Sequence, residues 1–389
     1  MKHALIITTI SGFVPQFEMN DVKILKEYGY QVHYASDFKN PVYSIDKEKL
    51  EAEGMVLHHI DIKKSPFRIK HQIKAYRQLK RIIREENIQL VHCHNPMGGV
   101  VGRLAAKASK KNPYVIYTAH GFHFYKGAPK KNWMLFYTAE RFLARYTDRL
   151  ITINHEDYDR ACRFHLKKGG KVERIPGVGV DMKKFCRQDA LRGEKRAELG
   201  IPENAFHIVS VGELVENKNH EIMIRAIGDL PMKDVYYSIC GNGGNLEHLQ
   251  KLINASGLEE RIQLLGYRTD IPEVLQSADC FAFPSKREGL GIASIEAMAC
   301  AVPMIAADNR GTREYMHDKE NGIVCDPYKI EEFKNAIIEL YQSEELREYM
   351  AINCRTTAEQ FGIEATDKIM RRIYGEIDIS HHGSLQSVE

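Results

Sequence analysis

The chain has 389 residues, 43% hydrophobic and 28% charged, and its 55 Lys and Arg against 52 Asp and Glu leave a net charge of +3. That length exceeds what one core usually organises and points to two domains of roughly 150 to 200 residues each. The near balance of charge names neither nucleic acid nor a generally acidic substrate as partner. Eight cysteines without a C-x-x-C pair argue against a disulfide scaffold and fit reduced thiols in a cytoplasmic protein. The apolar run after Lys2-His3 is too short for a signal peptide, and the stretch from Gly289 to Ala307 is broken by Glu296 and Pro303, so no spanning helix is expected.

Short apolar runs at 4–8, 31–35, 56–60, 90–93, 115–118 and 150–153 read as strands, and the longer amphipathic segments 17–28, 66–86, 99–109, 132–146 and 156–165 read as helices between them. This alternation predicts a parallel, doubly wound α/β sheet for residues 1–180. The pattern stops at Ile175-Pro176-Gly177-Val178-Gly179, and the charged residues 181–204 read as a linker. Strands at 208–211, 235–240, 262–264, 280–283 and 304–306 then predict a second Rossmann-like domain over 205–362. A helix at 363–376 is expected to return to the first domain, leaving 377–389 as a tail. In such sheets ligands sit outside the carboxyl ends of the strands, so two of them would face one another across a ligand cleft.

The densest motif is Pro284-Ser285-Lys286-Arg287-Glu288-Gly289-Leu290-Gly291-Ile292-Ala293-Ser294-Ile295-Glu296, which joins a strand end to a helix start. Glycines there allow close backbone approach, and the first-turn N–H groups of a helix suit a phosphate. Glu288 and Glu296 can grip separate hydroxyl clusters of an extended ligand; a solvated Glu288 and a helix-surface Glu296 would fit the same residues. Asp157-Tyr158-Asp159 has the form of a metal-binding D-x-D, but residues two apart on a helix point about 200° apart and cannot share one ion. His92-Cys93-His94 is too small a set to name zinc. No metal and no cofactor are therefore expected.

The spacing of Glu288 and Glu296, with Pro284-Ser285, Glu296-Ala297-Met298-Ala299, Val302-Pro303 and Gly311 to Glu314, resembles the E-x7-E element of the retaining, family 4 glycosyltransferases of the two-domain GT-B fold. By that resemblance Glu288 contacts the donor sugar, the amides of Leu290 and Gly291 hold the distal phosphate, and Glu296 binds the ribose. Lys218 matches the family's diphosphate lysine after Gly212, but Glu213 stands where many members have Arg, and Arg310 is the candidate to replace that cation. His120, in Thr118-Ala119-His120-Gly121-Phe122-His123, matches the His that reaches the sugar near its anomeric carbon. His94 and His123 are assigned to acceptor lining, and Gly12, Gly241 and Gly243 to the neighbourhood of the nucleotide. A tight turn explains Gly12 equally well.

The resemblance implies transfer of a hexosyl or N-acetylhexosaminyl group from a nucleotide diphosphate sugar, UDP-linked, to a saccharide acceptor carried on a polyprenyl diphosphate, in polysaccharide assembly. A UDP-N-acetylhexosamine 2-epimerase and a noncatalytic nucleotide-sugar-binding adaptor are the alternatives. Residues 63–84 carry nine Lys and Arg and no acid. With Ile69, Ile73, Tyr76, Leu79 and Ile83 packed inward, Lys70, Lys74, Arg77 and Arg81 would face an anionic membrane surface, placing the enzyme peripherally at the cytoplasmic leaflet; a solvated charged face is the alternative.

Overall fold

The computed structural model describes residues 1–41 and 45–383. The chain divides into two compact units, one made of residues 1–178 together with the chain from Glu364 onward, the other of Gly179–Ile363.

In the first unit seven strands pair in parallel: β1 (Lys2–Ile7), β2 (Tyr30–Ser36), β3 (Val56–His59), β4 (Leu90–His94), β5 (Tyr114–Ala119), β6 (Arg149–Thr152) and β7 (Lys171–Arg174), in the order β3-β2-β1-β4-β5-β6-β7. β1 is central, with Ala4 in register with Val32 on one side and Leu90 on the other. Its Leu5 and Ile7 join Val91, Val115, Tyr117 and Leu150 in a core closed by helices. The apolar runs define the central strands because both faces of a parallel sheet are covered.

The second unit holds β8 (Phe206–Val211), β9 (Val235–Cys240), β10 (Ile262–Gly266), β11 (Cys280–Phe283), β12 (Met304–Ala307) and β13 (Gly322–Cys325), all parallel, in the order β10-β9-β8-β11-β12-β13. Both units are doubly wound α/β sheets with a switch in strand order beside their first strand, β1 or β8.

Edge strands β7 and β13 are absent from the sequence reading. β7 is Lys171-Val172-Glu173-Arg174, with one apolar residue, and its charge is used in pairing: Glu173 accepts from Arg372 at 2.8 Å. β13 has only four residues, and a Cβ on Gly322 would sit 2.4 Å from the Met304 carbonyl oxygen, so glycine sets its pairing distance. Residues 181–204, read as a linker from their charge, carry the helix Arg192–Glu198 and belong to the second unit. Arg196 there is buried, donates to the carbonyls of Ser277, Glu203 and Ala205, and pairs with Asp279 at 2.7 Å. The final helix, expected to end at 376, runs Ile363–Gly383, and residues 384–389 of the expected tail lie outside the described residues.

Helix Pro96–Ala108 approaches the first sheet closely enough that a Cβ on Gly99 would fall 2.4 Å from the Tyr117 ring and one on Gly102 2.5 Å from Cys93 Sγ. This seats Arg103, wholly buried, with its guanidinium 4.1 Å from the Tyr117 ring centre and Nη2 at 2.7 Å from Glu140 Oε2. Removing one partner of such a pair leaves an uncompensated buried charge. Glu140→Ala is expected to cost about 3–5 kcal/mol, whereas Arg103→Met with Glu140→Leu recovers most of it. Urea unfolding of the full chain followed through Trp133, its one tryptophan, checks this, since Trp133 belongs to the same unit. An unchanged midpoint in Glu140→Ala contradicts it.

Candidate active site

In the first unit the loops after β1, β4 and β5 converge. Phe13 N–H donates to the Ile10 carbonyl at 3.1 Å, closing the turn in which Gly12 is buried. A π-helical turn, Val14–Glu18, with Pro15 near its start, leads into helix Met19–Glu27. The β1 and β4 loops are tied by Thr9 N–H to Asn95 Oδ1 and Gly98 N–H to Thr9 Oγ1, both 3.1 Å. β4 ends at His94 and β5 at Ala119, directly before His120.

The result is a buried cluster of acids and imidazoles. His94 Nδ1 lies 3.1 Å from His120 Nε2, and Glu18 Oε1 lies 3.4 Å from the first and 3.6 Å from the second. The Phe13 ring meets His120 edge-on, with centroids 4.9 Å apart. Behind them Tyr374, from the final helix, joins Asp21 Oδ2 at 3.0 Å and His92 Nδ1 at 2.8 Å, while His92 Nε2 reaches Thr118 Oγ1 at 2.8 Å.

Burial works to raise the Glu18 carboxyl, but His94 and His120 outweigh it and hold it below the ordinary value. Burial, and then the charge of Glu18, push Asp21 well above its own. Burial drives His120 down to about 4 against the pull of Glu18, and drives His92 well below its usual value. At neutral pH the cluster therefore holds an ionised Glu18 and neutral His92 and His120, with Asp21 shifted toward its protonated form. Among the described residues, Glu18-His94-His120 and Asp21-His92-His94 are the groups whose donor atoms lie close enough to hold an ion.

In the second unit the site grows from the ends of β8, β9 and β11. Lys218 Nζ donates to Glu288 Oε1 at 2.8 Å and stands 5.2 Å from the centre of the Phe283 ring. Gly212 leaves room for the lysine stem, since a Cβ there would already touch Lys218 Cδ and Cε at 3.4 Å. Asn217 Nδ2 donates to the Arg287 carbonyl at 2.8 Å, and Asn219 Nδ2 to the carbonyls of Pro284 and Pro327, so the β8 loop braces the Glu288 loop. Gly291 has φ +98°, and a Cβ there would sit 2.7 Å from the Phe283 ring; it opens helix Ile292–Ala299 in a conformation that favours glycine. Leu290 is buried in the same turn.

Glu296, half-buried on that helix, is pushed up by burial to about 7, with Lys184 opposing. Gly241 and Gly243 pack backbone against backbone: a Cβ would lie 1.9 Å from the Gly212 oxygen in the first and 2.3 Å from the Leu214 oxygen in the second. Arg310 is buried, with Nε donating to the Glu288 carbonyl at 3.2 Å, which ties it to the loop beside Glu288; Glu213 is exposed.

Other residues lie apart from these clusters. His123 packs its ring against Phe136, with centroids 4.9 Å apart. Asp157 is buried and accepts from Phe122 N–H at 2.9 Å and Asn154 Nδ2 at 3.0 Å, while Asp159 is exposed, so the two do not converge. On helix Ile69–Glu85, Lys70, Lys74, Arg77 and Arg81 are exposed as expected, with Lys74 paired to Asp61 at 3.0 Å. The inward face differs from the sequence reading: Ala75, Leu79, Ile82 and Ile83 are buried, whereas Ile69 and Ile73 are exposed by 64% and 46%. They border an apolar cavity of about 500 Å³ lined also by Tyr76, Met97, Val100 and Leu135.

Sequence reasoning missed Glu18, Asp21 and Tyr374. The available signal was two acids three residues apart in Glu18-Met19-Asn20-Asp21, which a helix start places on one face just after the β1 loop.

Residues 4–154 match the family model described as "Glycosyl transferase 4-like" and residues 192–357 the one described as "Glycosyl transferases group 1". The chain is 37% identical over 377 residues to "Putative glycosyltransferase EpsD" of Bacillus subtilis (strain 168), with 96% of each chain covered. It is 30% identical over 288 residues to the "UDP-Gal:alpha-D-GlcNAc-diphosphoundecaprenol alpha-1,3-galactosyltransferase" of Escherichia coli, covering 73% of this chain and 74% of that relative. Among solved structures, Anabaena Alr3699/HepE in complex with UDP matches with a TM-score of 0.77 at 20% identity, over 97% of this chain and 100% of that one. The sucrose-phosphate synthase of Thermosynechococcus elongatus matches with 0.79 at 18%, over 98% and 100%. The chain belongs to the glycosyltransferase family and has the two Rossmann-like α/β domains of its GT-B members.

Proposed function

We propose that the protein moves a hexosyl or N-acetylhexosaminyl group from a UDP-linked donor to a polyprenyl-diphosphate-linked saccharide, with retention at the anomeric carbon, in cell-surface polysaccharide assembly. The observation that carries this reading is the Lys218–Glu288 pair at 2.8 Å beside the Gly291 turn that opens a helix. A cation, first-turn amides and a hydroxyl-accepting carboxylate stand together there, which is what a sugar diphosphate requires. The relative from Escherichia coli, whose name specifies UDP-Gal and a diphosphoundecaprenol-linked acceptor, supports the choice of donor and acceptor class.

In this mechanism Lys218 and the amides of the Leu290-Gly291 turn take up the charge that develops on the departing UDP. Glu288 and His120 orient the sugar, and Glu296 accepts from the ribose. The acceptor hydroxyl attacks from the face the UDP leaves, and its proton passes to the departing phosphate oxygen, so no separate carboxylate base is needed and no divalent cation takes part. Lys218→Ala, Glu288→Gln and His120→Ala should each lower kcat by about tenfold to a thousandfold without altering the fold, read as the rate of UDP release in the presence of acceptor. Near-normal turnover in any of the three removes that residue from the mechanism.

Glu296 adds a pH dependence. Its carboxyl titrates at about 7, and only the ionised form accepts from two ribose hydroxyls, so protonation competes with donor binding. Affinity for a UDP-sugar should strengthen about tenfold from pH 6 to pH 8, the span of one group titrating midway. Calorimetric titrations with UDP-galactose check it: the slope should vanish in Glu296→Gln, and a flat profile in the wild type contradicts the assignment.

We further place the protein peripherally at the cytoplasmic leaflet. No helix of the described residues is long and apolar enough to cross a membrane. The exposed Ile69 and Ile73 lie on the helix that presents Lys70, Lys74, Arg77 and Arg81, with Phe67 80% exposed just before it. Apolar groups to enter the headgroup boundary and cations to meet anionic lipid thus occur together, each cation contributing about 1 kcal/mol. Sedimentation with anionic liposomes should show salt-sensitive binding by the wild type and loss of it when the four basic residues become Ser. Equal binding by both proteins, or by neither, removes the membrane assignment.

A further inference from the structure

Glu18 has no part in the reaction as described, yet it is the anion of the first unit's cluster. It is 6% exposed, and its Oε1 accepts no hydrogen bond although two imidazole nitrogens lie 3.4 and 3.6 Å away. His94 is wholly buried, and its Nε2 has no partner. A neutral imidazole has one N–H and one lone pair. Glu18 Oε1 lies nearer to His94 Nδ1 than to His120 Nε2, and nothing lies beside His94 Nε2, so the hydrogen of His94 is on Nδ1; the other tautomer would bury an unpaired N–H.

His94 Nδ1–H then donates to His120 Nε2 at 3.1 Å. His120 Nε2 must be the acceptor nitrogen, so the one N–H of His120 is on Nδ1. Nδ1 has no hydrogen bond within the described residues, and His120 alone of the three side chains is partly open, at 17%. Glu18 has Asp21 beside it, whose carboxyl its charge pushes up, and Tyr374 donates to Asp21 at 3.0 Å.

We propose that Glu18 is a positioning residue: it fixes the tautomer of His94 and, through it, makes His120 an Nδ1–H donor to a sugar oxygen rather than a base. Only the catalytic consequence rests on the transferase reading. The same three atoms are close enough to ligate a cation, but a ligating histidine ordinarily gives its second N–H to an acceptor, and His94 Nε2 has none. The cluster is built to hold a proton. The ionisable or hydrogen-bonding groups around it are Glu18 before the first helix, Asp21 on that helix, His92 and His94 on β4, and Asp367 and Tyr374 on the final helix.

Long-range ¹H–¹⁵N correlation NMR of the full chain at pH 7, labelled at histidine and assigned with His94→Asn and His120→Asn, reads the tautomers directly. Both rings are expected as Nδ1–H, the form less favoured by free imidazole. In Glu18→Gln the His120 signal should move to the Nε2–H form, with kcat falling about tenfold or more at unchanged KM for the donor; Glu18→Asp should restore part of both. His120 as Nε2–H in the wild type overturns the proposal, and needs no variant to fold. One equivalent of Zn²⁺ should leave the two signals in place, and EDTA should leave activity intact. Zinc-shifted His94 and His120 nitrogens together with activity lost to EDTA overturn it in favour of a metal seat. The expected tautomers in a chain that transfers no sugar would leave this assignment standing and remove the transferase reading instead.

Discussion

Parallel pairing of every strand is the constraint from which both candidate sites follow. With all strands of a sheet running one way, the loops that follow them emerge along a single edge, and side chains distant in sequence are delivered to one place. His94 ends β4 and His120 follows β5, two adjacent strands of the first sheet. Lys218 follows β8 and Glu288 follows β11, again adjacent, so 70 residues of sequence close to a 2.8 Å contact. Buried faces on both sides of each sheet hold that edge in register, which is why the apolar runs matter to the chemistry although none of them touches it.

Within that frame the two units use charge differently. The second presents a partly open ion pair, Lys218 with Glu288, whose cation can turn to a more strongly charged oxygen, while Arg310 donates to the Glu288 backbone carbonyl and braces the loop. In the first, an acid is buried beside His94 and His120, the latter pushed down by its burial, so a single anion faces several polar rings. A group that must yield to a ligand is left partly open, and a group that must only orient its neighbours is buried.

The parts of this arrangement readable in the sequence are those that local pattern encodes. Apolar runs located the central strands; Glu288 stood out in the motif after one of them and His94 at the end of another, while Lys218 and His120 were singled out by the family resemblance of the segments that follow their strands. Features set by tertiary partners stayed hidden. Nothing near Arg196 in sequence announces that it will be buried against Asp279, so residues 181–204 look like a solvated linker. β7 is charged because its partners are charged groups on the final helix. Ile69 and Ile73 keep helical spacing with Leu79 and Ile83 yet are exposed where the latter are buried, and periodicity cannot report where a neighbour stops. Glu18 and Tyr374 are 356 positions apart and act through Asp21, a relation that exists only in the folded chain. The glycines divide the same way. Gly291 was recognisable from its motif, whereas Gly241 and Gly243 carry a backbone-packing demand that a glycine count does not distinguish from ligand contact.

The most direct measurement is the product formed from a UDP-sugar with and without a polyprenyl-diphosphate-linked saccharide, its anomeric configuration read by NMR. Transfer that depends on acceptor, releases one UDP per linkage and keeps the α configuration of the donor is the result these sites predict. An inverted product, an isomerised sugar formed from donor alone, or a bound donor that never releases UDP would contradict it.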